Sequence, residues 1–95
     1  MSSPTPQTVT LRSALDLAAA APLRAELLAL RGAPVLLDGT QVERLGGLCL
    51  QVLLSAERTW RKDHCDFALL QPSAAFAAAL TSLGARNTLP IRGAI

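Results

Sequence analysis

Two short apolar runs flanking a helix-length segment constrain this chain more than any other feature. Val35, Leu36 and Leu37 form one run, closed by Asp38-Gly39, and Phe67 to Leu70 form the other, bounded by Asp66 and Gln71-Pro72. Each is too short for a helix and has the continuous hydrophobicity of a strand buried on both faces. The intervening stretch, from Gly46-Gly47 to about Lys62, is rich in Leu, Val and Ala and reads as the longest helix. A strand, a helix and a second strand in this order predict a parallel pair joined by a helical crossover.

The flanking segments extend the alternation. Thr8, Val9, Thr10 and Leu11 alternate polar and apolar, as a half-buried strand does, and Pro4 and Pro6 before them make residues 1–6 an expected loose tail ahead of a single domain, 7–95. Asp16 is placed to cap a first helix, with Leu23, Leu27 and Leu30 at i, i+4, i+7 and Gly32 as its stop; Pro22 fits only if it lies in the first turn. Ser73, after Pro72, caps a third helix in which Phe76, Leu80 and Leu83 repeat the spacing before Gly84. Residues 85–95 carry Leu89 and Ile91 around Pro90, a pattern that fits an edge strand or a frayed end equally well.

Composition narrows the function classes. At 51% hydrophobic and 17% charged, the 95 residues are too apolar for intrinsic disorder, and Arg or Asp interrupts every apolar run before it reaches the roughly 18 residues of a membrane span. The opening MSSPTPQ has no basic stretch typical of export signals, so the expectation is a cytoplasmic protein without membrane insertion. Net charge is +2, the basic residues are scattered, and Trp60, Phe67 and Phe76 are the only aromatics, which gives nucleic acid neither a basic stripe nor a stacking platform. Cys49 and Cys65 lie in no CxxC pair and are expected as free thiols.

Asp63, His64, Cys65 and Asp66 are the one cluster with catalytic or metal-binding chemistry. Neighbours in sequence diverge by about 100° on a helix and point to opposite faces of a strand, so they cannot converge on one substrate. No phosphate-binding loop, nucleophile elbow or HExxH is present, and no enzyme activity, catalytic residue, metal or cofactor is expected.

On the second helix, Cys49, Val52, Leu53, Ala56 and Trp60 fall on one arc that belongs on the sheet. Leu48, Leu50 and Leu54 widen that arc beyond what one sheet face requires. Neighbouring helices bury the surplus in one reading; in the other, the N-terminal end of the helix is a partner-binding surface, where Gly46 and Gly47 admit a close approach and free N–H groups offer donors.

The segment VLLDGTQVERLGGLCLQVLLSA, residues 35–56, resembles the signature of STAS domains, the family named for sulphate transporters and anti-sigma-factor antagonists. That signature runs from a hydrophobic strand ending in Asp, through a loop, to an Asp-Ser-Ser-Gly-Leu type motif that opens a helix, and the spacing from Asp38 to Leu50 matches it. The resemblance spans residues 8–84, and LGGLCLQVLLSA, residues 45–56, is similar to short stand-alone members that accompany bacterial chemotaxis genes. It implies an α/β fold, a two-layer sandwich with a small mixed sheet and helices mainly on one face. It also implies a non-enzymatic module that docks on a kinase-like protein through Thr40, Glu43, Arg44, Gly46, Gly47, Leu48, Gln51 and Ser55.

In the anti-sigma branch the partner kinase phosphorylates the motif's second Ser. Leu48 stands at that position, with Gly46, Gly47 and Cys49 replacing the motif's Asp, first Ser and Gly, so the switch cannot operate there. Thr40 is then the exposed hydroxyl open to modification in this region. Three expectations follow: docking on a histidine kinase or its adaptors, on an anti-sigma-type kinase, or, as an accessory subunit, on a transport ATPase. A further alternative is a small anion or nucleotide held at the Gly46-Gly47 helix start.

Overall fold

A computed structural model describes residues 5–85 and 88–92 of the chain. The elements run β1 (Gln7–Thr10), β2 (Ala14–Leu15), α1 (Leu17–Ala29), β3 (Val35–Asp38), β4 (Arg44–Leu45), α2 (Gly47–Lys62), β5 (Phe67–Leu70), α3 (Ala74–Ser82) and β6 (Ile91–Arg92). Four strands form one sheet in the order β1-β3-β5-β6, and β2 pairs with β4 in a two-residue ladder. Every described ladder is parallel, where the resemblance implied a mixed sheet. The reason is local: each consecutive pair in the four-stranded sheet is separated by a helix, so the chain returns to the same end before each strand.

Strand register sorts the side chains into two faces. Val9, Leu37 and Leu69 stand in one row and Val35 and Phe67 in the next, and all five are buried in the main core. The opposite face carries exposed Thr8 and Thr10, half-buried Leu36, Asp38 and Leu70, and buried Ala68. The helices lie on the first face. Trp60 of α2 meets Phe67 with ring centroids 5.5 Å apart, and its indole N–H donates to the Ala33 carbonyl at 2.7 Å. Phe76 of α3 comes close beside Leu69 at Gly39, where an added Cβ would stand 3.1 Å from Leu69 Cδ1 and 3.4 Å from Phe76 Cδ2. Gly39 is therefore required by close packing, whereas Gly32, at φ 99°, serves the left-handed turn that leads from α1 into β3.

The caps are those the sequence indicated. Asp16 accepts from the Ala19 amide at 3.2 Å and Ser73 Oγ accepts from the Phe76 amide at 3.0 Å. Pro22 departs from expectation, since it lies beyond the first turn of α1. The bond that residue 22 would donate to the Ala18 carbonyl is missing, but both residues are exposed, so water can take its place. Leu83, expected on the core stripe of α3, is 45% exposed because it is already the C-cap, where the helical period ends. Of the surplus leucines on α2, Leu50 is buried and Leu54 half-buried, while Leu48 is 50% exposed.

Thr5 and Pro6 of the expected tail are exposed and outside any regular element, and residues 1–4 lie outside the described residues. Of the segment whose reading stayed open, Ile91–Arg92 pairs with β5 as a strand; residues 86, 87 and 93–95 lie outside the described set.

Candidate functional site at the β3–α2 loop and the start of α2

The loop from Gly39 to Leu45 is anchored from three sides. Ser13 O accepts the Glu43 and Arg44 amides at 2.7 and 3.0 Å, Gly46 donates to Leu15 O at 2.9 Å, and the Ser73 hydroxyl donates to Val42 O. The Ser73 amide also donates to Gly39 O at 3.0 Å, and the Val42 side chain is buried. Short strands β2 and β4 are this anchoring seen as a ladder, and two residues of pairing are too few to leave a periodic signal in sequence.

All eight residues expected to bind a partner are exposed. Leu48, Gln51 and Ser55 follow helical spacing and form one stripe continuing from the Gly46-Gly47 start. Gly46 is the N-cap, in extended conformation at φ −88° and without a side-chain cap, so the first-turn N–H groups of α2 keep free donors. Glu43 and Arg44 flank this start. Thr40 belongs to the other end of the loop: its amide and hydroxyl donate to Asp38 Oδ1 at 3.0 and 2.7 Å, which ties it to β3 rather than to α2. These bonds, the amide's first, hold the Asp38 carboxyl below its ordinary pKa of 3.8.

Sequence reasoning missed Leu17, the most exposed large apolar side chain among the described residues, at 77%. It is the first residue of α1, and the two helix starts lie side by side: Cys49 Sγ donates to the Asp16 carbonyl at 3.2 Å. Leu17 and Leu48 are thus displayed at the same end of the molecule. A helical wheel anchored on Ala20, Leu23 and Leu27 puts Leu17 well off the core face, which was the available signal. The Cys49 thiol itself is buried, and burial, then the nearby Asp16 charge, pushes its pKa up.

Residues 63–66 form no shared site: Cys65 Sγ faces the Asp63 carbonyl at 3.6 Å, while the Asp63 carboxylate is taken by another partner. Asp63 pairs with Arg31 across the ends of α1 and α2, Nε to Oδ2 at 2.9 Å, which lowers the Asp63 pKa; His64 is exposed and Cys65 half-buried. Among the described residues no three His, Cys, Asp or Glu side chains are grouped to hold a metal, and no helix is long and apolar enough to cross a membrane.

No curated protein sequence matches the chain at a significant level. Among solved structures it is similar to the NMR structure of the protein TM1081, with a TM-score of 0.72 and 17% identity over 90% of this chain and 71% of that one, a likeness of fold. A family model described as "Mlab, STAS domain" matches residues 2–91. With that match covering the β3 strand, the anchored loop and the glycine start of α2, the chain belongs to the STAS domain family.

Proposed function

We propose that the chain is a docking module of bacterial signalling that holds a histidine kinase or its adaptor in a chemotaxis assembly through the β3–α2 loop and the start of α2. The observation that carries this reading is Leu48, half exposed directly after the Gly46-Gly47 pair on the anchored start of α2 and in line with Gln51 and Ser55. An apolar side chain held out in water on an ordered element gains by being covered. The likeness of residues 45–56 to stand-alone members near chemotaxis genes supports the choice of partner.

With Leu48 at the motif's hydroxyl position, contact on this face is independent of phosphorylation there. That feature also suits a permanently bound accessory subunit, so a transport ATPase is the second reading. A switch, where one exists, falls to Thr40, whose phosphorylation would set added negative charge against Asp38.

The test is affinity capture from lysate of the native cell with wild type and with Leu48→Asp, identified by mass spectrometry. A charge forced into a desolvated contact costs a few kcal/mol, roughly a hundredfold in affinity. Capture of a kinase or adaptor by wild type alone supports the proposal, and capture of a transport ATPase by wild type alone moves the assignment to the second reading. Equal capture by a folded Leu48→Asp variant places the interface elsewhere.

A further inference from the structure

Helices α1 and α2 run in the same direction: their starts meet at Asp16 and Cys49, and their ends meet at the Arg31–Asp63 pair. Between them lies an open groove of about 290 Å³. Its floor is apolar, with half-buried Val52 at the surface over buried Leu27, Ala56 and Trp60, and Leu28 forms an apolar rim, 47% exposed. On α2 the lining runs from Gln51 to Trp60, nine steps of about 1.5 Å, or roughly 13 Å of helix axis. Small side chains at Ser55 and Ala56 leave the middle of the groove open enough for another backbone to approach.

Among the described residues one charge lines this groove, Arg24, and it makes no ion pair with any of them. No acid among the described residues is in the lining. An apolar floor two turns long with a lone cation on one wall is complementary to an amphipathic helix that carries a carboxylate beside its apolar stripe. Gln51 and Ser55 belong both to the groove and to the stripe that starts at Leu48, so the two surfaces are continuous. The geometry points to the α1–α2 groove as the seat for an amphipathic helix of the partner protein, with an Asp or Glu of that helix against Arg24. This inference rests on the docking reading above and adds to it the chemistry of the partner segment.

The probes are two synthetic helices that share one Leu stripe and differ in carrying Glu or Lys beside it, titrated into ¹⁵N-labelled full-length protein. The Glu helix is expected to bind wild type about tenfold more tightly than the Lys helix, and to shift the Ser55, Ala56 and Thr59 amides and the Trp60 indole N–H. Arg24→Glu, at an exposed site, should invert the preference, and Thr59→Phe should fill the groove and abolish both titrations while circular dichroism reports an intact fold. Leu48→Asp should leave the titration unchanged, which separates this inference from the docking assignment: capture of no kinase, adaptor or ATPase with normal helix binding defeats only the latter. The groove assignment is overturned by absent shifts, by a Glu preference that survives Arg24→Glu, or by a peptide-free dimer that Thr59→Phe dissolves, which would make a second copy the occupant.

Discussion

At the residue scale, Asp38 shows how one carboxylate shapes the β3–α2 loop. It accepts both the amide and the hydroxyl of Thr40 and so holds the chain in a tight turn as it leaves β3. Because the folded-state pKa is lowered, the stabilisation from this turn is present above the ordinary value of 3.8 and is lost as pH falls through the lower folded-state value. Thr40→Val removes the hydroxyl and keeps the amide, which is the larger cause of the shift. The Asp38 pKa should therefore rise only part of the way towards 3.8, as read by carboxyl-carbon NMR titration; a full return would assign the effect to the hydroxyl instead.

The two thiols differ in the same manner. Cys49 is fully buried with a raised pKa, while Cys65 is half-buried. Iodoacetamide applied to the native protein should modify Cys65 first, with Cys49 reacting only on unfolding, and peptide mapping of a time course reads this directly.

At the element scale, the boundaries legible in sequence were those set by a chemical cap or by a periodic apolar stripe. Asp16 and Ser73 mark the starts of α1 and α3, and the glycine pair marks the start of α2 to within a residue. Strands β3 and β5 were visible as short apolar runs, but burial on both faces, expected for them, is not what β3 has: its residues are buried alternately because the helices cover one face only. The β2–β4 ladder was not, since Ala14–Leu15 and Arg44–Leu45 pair through backbone bonds that any side chain permits. Of the site, the exposed stripe of Leu48, Gln51 and Ser55 was legible from helical period, but Val52 was assigned to the sheet and instead lines the groove to α1. Helical period fixes a residue's angle, and only the placement of α1 decides whether that angle meets the sheet, a helix or a gap.

Pro22 and His64 are places where an element works against its local preference, as is Gln71 at φ 48°. Pro22→Ala restores an N–H for Ala18 O in the exposed middle of α1 and should raise stability by about 1–2 kcal/mol, after the entropy that proline removes from the unfolded chain is set against the gain. For a domain of this size that corresponds to a Tm higher by about 4–8 °C per kcal/mol. His64 leaves α2 at φ 56°, and His64→Gly should add up to about 1 kcal/mol by relieving that left-handed backbone. Thermal unfolding followed by circular dichroism tests both; an unchanged Tm for Pro22→Ala would mean that water already satisfies the Ala18 carbonyl fully.

At the scale of the whole molecule, a chain with a Cα radius of gyration of 12.5 Å and extents of 41 × 30 × 21 Å places its helices on one face of a thin sheet. The core is consequently a single layer between Leu37 and its neighbours and the underside of α1, α2 and α3, with the row Val9, Leu37 and Leu69 at its centre. Domains of this size hold roughly 5–15 kcal/mol in total, and a buried Leu→Ala change costs about 2–5 kcal/mol, so Leu37→Ala should remove a large part of the stability. Leu48→Asp, at a half-exposed position outside that layer, should fall within about 0.5 kcal/mol of wild type when both variants are unfolded by urea. The contrast separates the two roles of leucine in this fold: the inward set holds the sandwich together, and the outward set at the helix starts is free to serve contact with another protein. A Leu48→Asp variant that unfolds like Leu37→Ala would show that the start of α2 belongs to the folding core, and its loss of binding would then say nothing about docking.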